Sequence, residues 1–206
     1  MAYPLENKMR WLVYVLLAGV EGAAVACDRP EMRAENPPVR VVDSILTRDE
    51  AVGRFRQGLP LVKVLDGGAD SRDKLVAAFL GALARRDTLA LGSMAITGPE
   101  FAYLYYPTAP QGLPPYELDP GLLWHMLLQR SDRGLRRSLA AYGGRQLQLL
   151  SYDCGTGASR EGDNTISGPC VVRVRDEKGR TTSLRLFSQI IERGGRYKFL
   201  SYANKL

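Results

Sequence analysis

The spacing of apolar residues changes once along this chain, near Arg145, and that change constrains the fold more than any other feature. Before it, apolar side chains recur at helical intervals. In "SRDKLVAAFLGALARRD" (71–87), Leu75, Val76, Phe79, Leu80 and Leu83 share one face and Ser71 is placed to cap the start. After it, "RQLQLLSYD", "CVVRVR", "TTSLRLFSQIIE" and "YKFLSYA" read as strands, with "RDEKGR" and "ERGGR" as turns. Leu184, Leu186, Ser188 and Ile190 alternate with Arg185, Phe187 and Gln189. Helices first and an antiparallel meander last predict an α+β fold, with N-terminal helices packed on a C-terminal curved sheet.

Local signals set the helical half. Thr47 followed by Glu50 is a capping box, opening a helix with Val52, Phe55 and Leu59 near one face and Gly58 as its stop. "TLALGSMAIT" adds a weaker turn or helix. Thr97 and Glu100 repeat the box ahead of "FAYLYYP", which Pro107 limits. Residues 107–120 carry five prolines and read as a loop. Asp119 and Pro120 start "DPGLLWHMLLQR", and Ser131 is placed to cap a second helix ending at Gly143-Gly144.

The first forty residues read differently. Lys8 and Arg10 flank the apolar run Trp11–Val20, which is too short to span a bilayer and fits the hydrophobic region of a secretion signal. Met9 offers a second start. "AVAC" (Ala24–Cys27) resembles the lipobox of bacterial lipoproteins, with Ala24 where Leu is commonest. That resemblance implies that the Cys27 thiol receives a diacylglycerol, that cleavage removes residues 1–26 and that the new terminus is acylated. Two or more acyl chains anchor firmly where one does not. Residues 27–40, with three prolines and alternating charge, then form a tether, and a single domain covers 41–206. The implied location is the bacterial cell envelope, lipid-anchored, on the periplasmic or outer side of the membrane.

Setting Cys27 aside leaves Cys154 and Cys170 as an even pair in an exported chain, where disulfides persist. They stand at the ends of the expected strands 145–153 and 170–175. "GTGASREGDNTISGP" between them reads as a loop. A CxxC spacing is missing, which argues against redox chemistry.

The net charge is +6, but no run of Lys or Arg exceeds two, and the arginines are spread along the chain beside acidic residues. That argues against nucleic acid as a partner. No metal-ligand spacing, phosphate cradle or nucleophile elbow occurs, so neither metal nor cofactor is expected.

The order of elements over residues 70–204 resembles the nuclear transport factor 2-like superfamily, in which helices fill a cone-like curved sheet. The sequence departs from that pattern in showing no strong strand between Asp87 and Arg145. Enzymes of the superfamily use Asp, His or Tyr inside the cone. By that resemblance His125 and Asp153 are candidate general bases for isomerase- or cyclase-type chemistry. Tyr103, Tyr105 and Tyr106 are candidates to line a pocket for an apolar ligand. The leading expectation is non-catalytic: a tethered domain that binds a small apolar ligand or an envelope protein.

Overall fold

Side-chain caps decide where the helices begin. The computed structural model describes residues 46–204. The signal segment, Cys27, the tether and the expected domain start near Val41 lie outside the described residues.

Helix α1 (Arg48–Arg56) opens on the Thr47–Glu50 capping box, and α2 (Arg72–Arg85) opens on the Ser71 hydroxyl. All five apolar residues predicted for the inner face of α2 are buried. Helix α3 (Thr88–Ser93) is capped by Asp87. The short α4 (Gly98–Glu100) forms the second capping box and runs on into a π-helical turn over Phe101–Tyr105. Pro107 does not end this run. It sits inside a following 3-10 turn, Tyr106–Thr108, where its missing N–H leaves no bond unmade.

Helix α5 corrects one expectation. Residues 120–142 form a single 23-residue helix, Pro120–Tyr142, rather than two. Ser131 caps nothing. It is buried, and its hydroxyl accepts the Tyr202 backbone amide at 3.0 Å. One turn on, Gly134 carries no side chain because a Cβ there would collide with the Tyr202 carbonyl. Both residues let the C-terminal strand segment lie against the helix.

The strands are β1 (Gln148–Asp153), β2 (Ser159–Glu161), β3 (Asn164–Ser167), β4 (Val171–Arg175), β5 (Thr181–Leu184), β6 (Gln189–Arg193) and β7 (Arg196–Ser201). They form two antiparallel sheets, ordered β1-β4-β5 and β2-β3-β6-β7. The two sheets follow one meander. Segments 148–161, 164–175 and 181–193 are each broken in the middle, at 154–158, 168–170 and 185–188. Pairing continues across the break, with the Cys170 amide donating to the Ser188 carbonyl and the Ser188 amide to the Ser201 carbonyl. Gly168 makes this approach, since a Cβ there would meet the Ser188 carbonyl. The Cys154–Cys170 disulfide joins the first two segments at the same break, with Cα atoms 3.9 Å apart.

Two strand expectations are corrected here. The stretch between the cysteines is not all loop, because it contains the β2–β3 hairpin. Its polar residues are satisfied inside the fold: the buried Asn164 amide donates to the Leu104 carbonyl at 2.7 Å, and its oxygen accepts from Arg193. The run 181–192 is likewise two strands, and the alternation fails at the break, where Leu186 and Phe187 are both buried.

Two apolar clusters form on the sheet. One gathers Leu75, Val76, Phe79 and Leu83 of α2 with Val172, Val174, Ile190, Phe199 and Tyr202. Its centre is aromatic: Phe79 lies 5.4–5.6 Å, centroid to centroid, from Phe187, Phe199 and Tyr202. The other gathers Phe101, Leu104, Tyr105, Tyr106 and Leu123 with Ile166, Ile191 and Leu200. Adjacent residues of β6 and β7 point to opposite clusters, so this sheet is covered on both faces. Between Asp87 and Arg145 the described residues contribute only one isolated bridge to the sheet, Ala95 with Phe199.

Candidate functional site

A groove lies where the end of α5 faces the β4–β5 hairpin. Gly143 and Gly144 turn the chain out of the helix, and the Gly144 amide donates to the Leu83 carbonyl, tying the ends of α5 and α2 together. This swings Arg145–Leu147 across from β4 and β5. The resulting groove has a volume of about 710 Å³. Its floor is Val174 and Leu184, both buried, with Leu147 and Tyr142 half-buried on one wall. Thr182, Arg145, Glu177 and Arg180 form the exposed rim.

The opposite rim is a tight turn organised by one carboxylate. Asp176 accepts the backbone amides of Lys178 and Arg180, each at 2.9 Å, and the Arg180 guanidinium. The Arg180 amide and guanidinium hold its carboxyl below the usual range. Glu177 accepts the Gln146 amide at 3.0 Å and so clasps one wall to the other. Beside the groove, β5 is the terminal strand of its sheet, paired among the described residues only with β4. The site therefore combines an apolar floor, charged walls and an open strand edge.

The sequence-nominated residues are elsewhere, and the fold does not bring them together. His125 is exposed on α5, its Nε2 2.9 Å from the Gln129 amide nitrogen. Asp153 is exposed at the end of β1 and accepts the Gly155 amide at 2.8 Å, as a turn residue does. It borders a shallow depression with Tyr152 and Asp73. There the Tyr152 hydroxyl donates to Asp73 at 2.8 Å, and burial together with that carboxylate pushes the phenol up to about 12. Neither His125 nor Asp153 lines the groove.

The three tyrosines serve the second apolar cluster. Tyr106 is buried and its hydroxyl donates to the Leu118 carbonyl at 2.7 Å. Tyr103 lies under the Arg56 guanidinium at 4.6 Å. Tyr105 is buried, and burial with the nearby Glu161 carboxylate pushes its phenol up. Burial likewise raises Glu161, whose Oε2 is buried without a hydrogen-bond partner among the described residues.

The groove escapes a reading of the sequence because its residues are ordinary ones drawn from three separated stretches. One signal was present: Gly143-Gly144 after a helix predicts a sharp reversal, which is what sets Arg145 opposite the hairpin. Among the described residues no helix is long and apolar enough to cross a membrane, and no three His, Cys, Asp or Glu side chains cluster as metal ligands. Compared with models of known families, with curated proteins and with solved structures, the chain matches none.

Proposed function

We propose that this protein is an exported lipoprotein, held at a membrane by Cys27, whose α+β domain binds a partner protein through the groove between α5 and β4–β5 and performs no catalysis of its own. The observation that carries the binding reading is the groove's composition: a buried apolar floor of Val174 and Leu184 beside an open strand edge. An extended segment of a partner can add to β5 through backbone hydrogen bonds and place alternate side chains over that floor. The packing of Phe79, Phe187, Phe199 and Tyr202 favours a partner over a small apolar ligand, because it fills the space a cone-like fold would offer one. The enzyme alternative draws nothing comparable from its two nominated bases, which stand apart on exposed surfaces.

Two measurements test this. Intact mass of the protein extracted from its own membrane should give a chain starting at Cys27 with added acyl mass. An unmodified mature terminus elsewhere would overturn the anchor. A photo-crosslinker at Thr182 should capture a discrete partner in those membranes, and Leu147→Arg should abolish the product. Crosslinking unaffected by Leu147→Arg, or no product at all, would overturn the groove.

A further inference from the structure

Arginines that look scattered in the sequence are gathered by α5. Spacings of three and four place Arg130, Arg133 and Arg137 in one row along the helix, with Arg136 beside them. All four are exposed, and none makes an ion pair or a side-chain hydrogen bond with another described residue. Arg180 on the β4–β5 turn, by contrast, is held by Asp176. Asp132 is the only acidic side chain of α5 and lies at the flank of the row. The row continues towards the helix N-terminus as Met126 and Leu122, the latter 49% exposed. The helix thus presents outward a straight surface, basic at one end and apolar at the other, about 23 Å long from Leu122 to Arg137.

We infer that this outer face of α5 docks the domain on an anionic phospholipid surface. The chemistry is complementary: guanidinium groups meet phosphate oxygens, while Leu122 and Met126 enter the headgroup region. The row stands on the exposed side of one helix, so it suits a flat, deformable surface better than the acidic segment of a protein, which needs a cleft to exclude water. The inference rests on the membrane-anchored reading in one respect. Attachment through Cys27 would hold the domain at the bilayer by its own chain, where a weak electrostatic contact forms readily. Docking by α5 would leave the groove at the far end of that helix beside the membrane, available to a partner held in it.

The test uses the full chain with vesicles and reads docking of the helix face itself, so it is separate from the intact-mass test of the anchor. A fluorescent amino acid replaces Ala140, an exposed position on the same face. Headgroup-nitroxide lipids quench it when the face is docked. Quenching should be strong on equal parts phosphatidylglycerol and phosphatidylcholine and weak on phosphatidylcholine alone. It should disappear at about 1 M salt, where the screening length is about 3 Å. Each arginine at such a surface contributes about a fivefold factor, so R133Q/R137Q should lower the docked-to-free ratio about 25-fold. Equal quenching on both lipids, or no loss in R133Q/R137Q, would overturn the inference. So would an unquenched face on anionic vesicles that an acidic polypeptide nevertheless protects. Failure of the anchor reading would appear separately, in the intact mass.

Discussion

Lys198 Nζ stands 2.8 Å from Glu100 Oε2, and both side chains are 1% exposed. The pair is fully supplied: Lys198 also donates to the Asp66 carbonyl, and Glu100 accepts the amides of Asp66 and Thr97 and the Thr97 hydroxyl. One carboxylate thus closes a helix cap and anchors the last strand. Removing one partner leaves a buried charge uncompensated, which typically costs about 3–5 kcal/mol. Lys198→Met should lose stability on that scale in urea unfolding. Adding Glu100→Gln to the same chain should recover part of the loss, because the stranded charge goes with it.

Gly134 and Gly53 should respond to alanine in opposite directions. A Cβ on Gly134 would occupy the position of the Tyr202 carbonyl, so Gly134→Ala must push the C-terminal segment off α5 and should cost more than about 2 kcal/mol. A Cβ on Gly53 in α1 meets nothing within 4 Å. Gly53→Ala should therefore stabilise by about 0.5–1 kcal/mol through helix propensity. Thermal unfolding of the two variants side by side checks both signs.

Reducing the Cys154–Cys170 bridge frees a loop whose ends are 16 residues apart in sequence. In the chain-entropy account such a loop is worth about 3 kcal/mol. C154S/C170S should then melt roughly 6–12 °C below the parent. A reductant should shift the parent by a similar amount and leave the variant unmoved.

Glu161 gives a pH dependence of known sign. Burial raises its carboxyl, with the Ser159 hydroxyl pulling the other way. A carboxyl raised on folding binds its proton more tightly in the native state. Its favourable contribution is therefore present at low pH and is lost as pH rises through the folded-state value. Glu161→Gln removes the buried charge, so it should stabilise by ~1 kcal/mol at neutral pH. The gain should vanish below about pH 4, where the native carboxyl is already protonated. Urea unfolding of both proteins across that range measures it.

Much of the helical half was legible because its determinants are local. Thr47 with Glu50, Ser71 and Thr97 with Glu100 all cap what their spacing predicts. The α+β order and the disulfide were legible too. What misled was chemistry that a residue performs for a distant partner. Ser131 has the composition of a cap, but its hydroxyl is taken by Tyr202, seventy-one residues away. Asn164 has the composition of a loop, but Leu104 and Arg193 satisfy it inside the fold. Lys198 alternates as an outward residue should, yet the face it points to is covered. The groove and the arginine row were invisible for a related reason: each is an assembly of unremarkable side chains that only the folded chain brings into line.

Strand β7 is enclosed on every side. β6 pairs with one edge, and Ala69, Met94 and Ile96 bond to the other. Phe199 serves one apolar cluster, while Leu200 and Lys198 serve the opposite face. It is also the last of the described elements to leave the ribosome. Neither cluster is complete until it arrives, because it supplies Phe199 to one and Leu200 to the other, so the closing of both cores waits on the last-made strand.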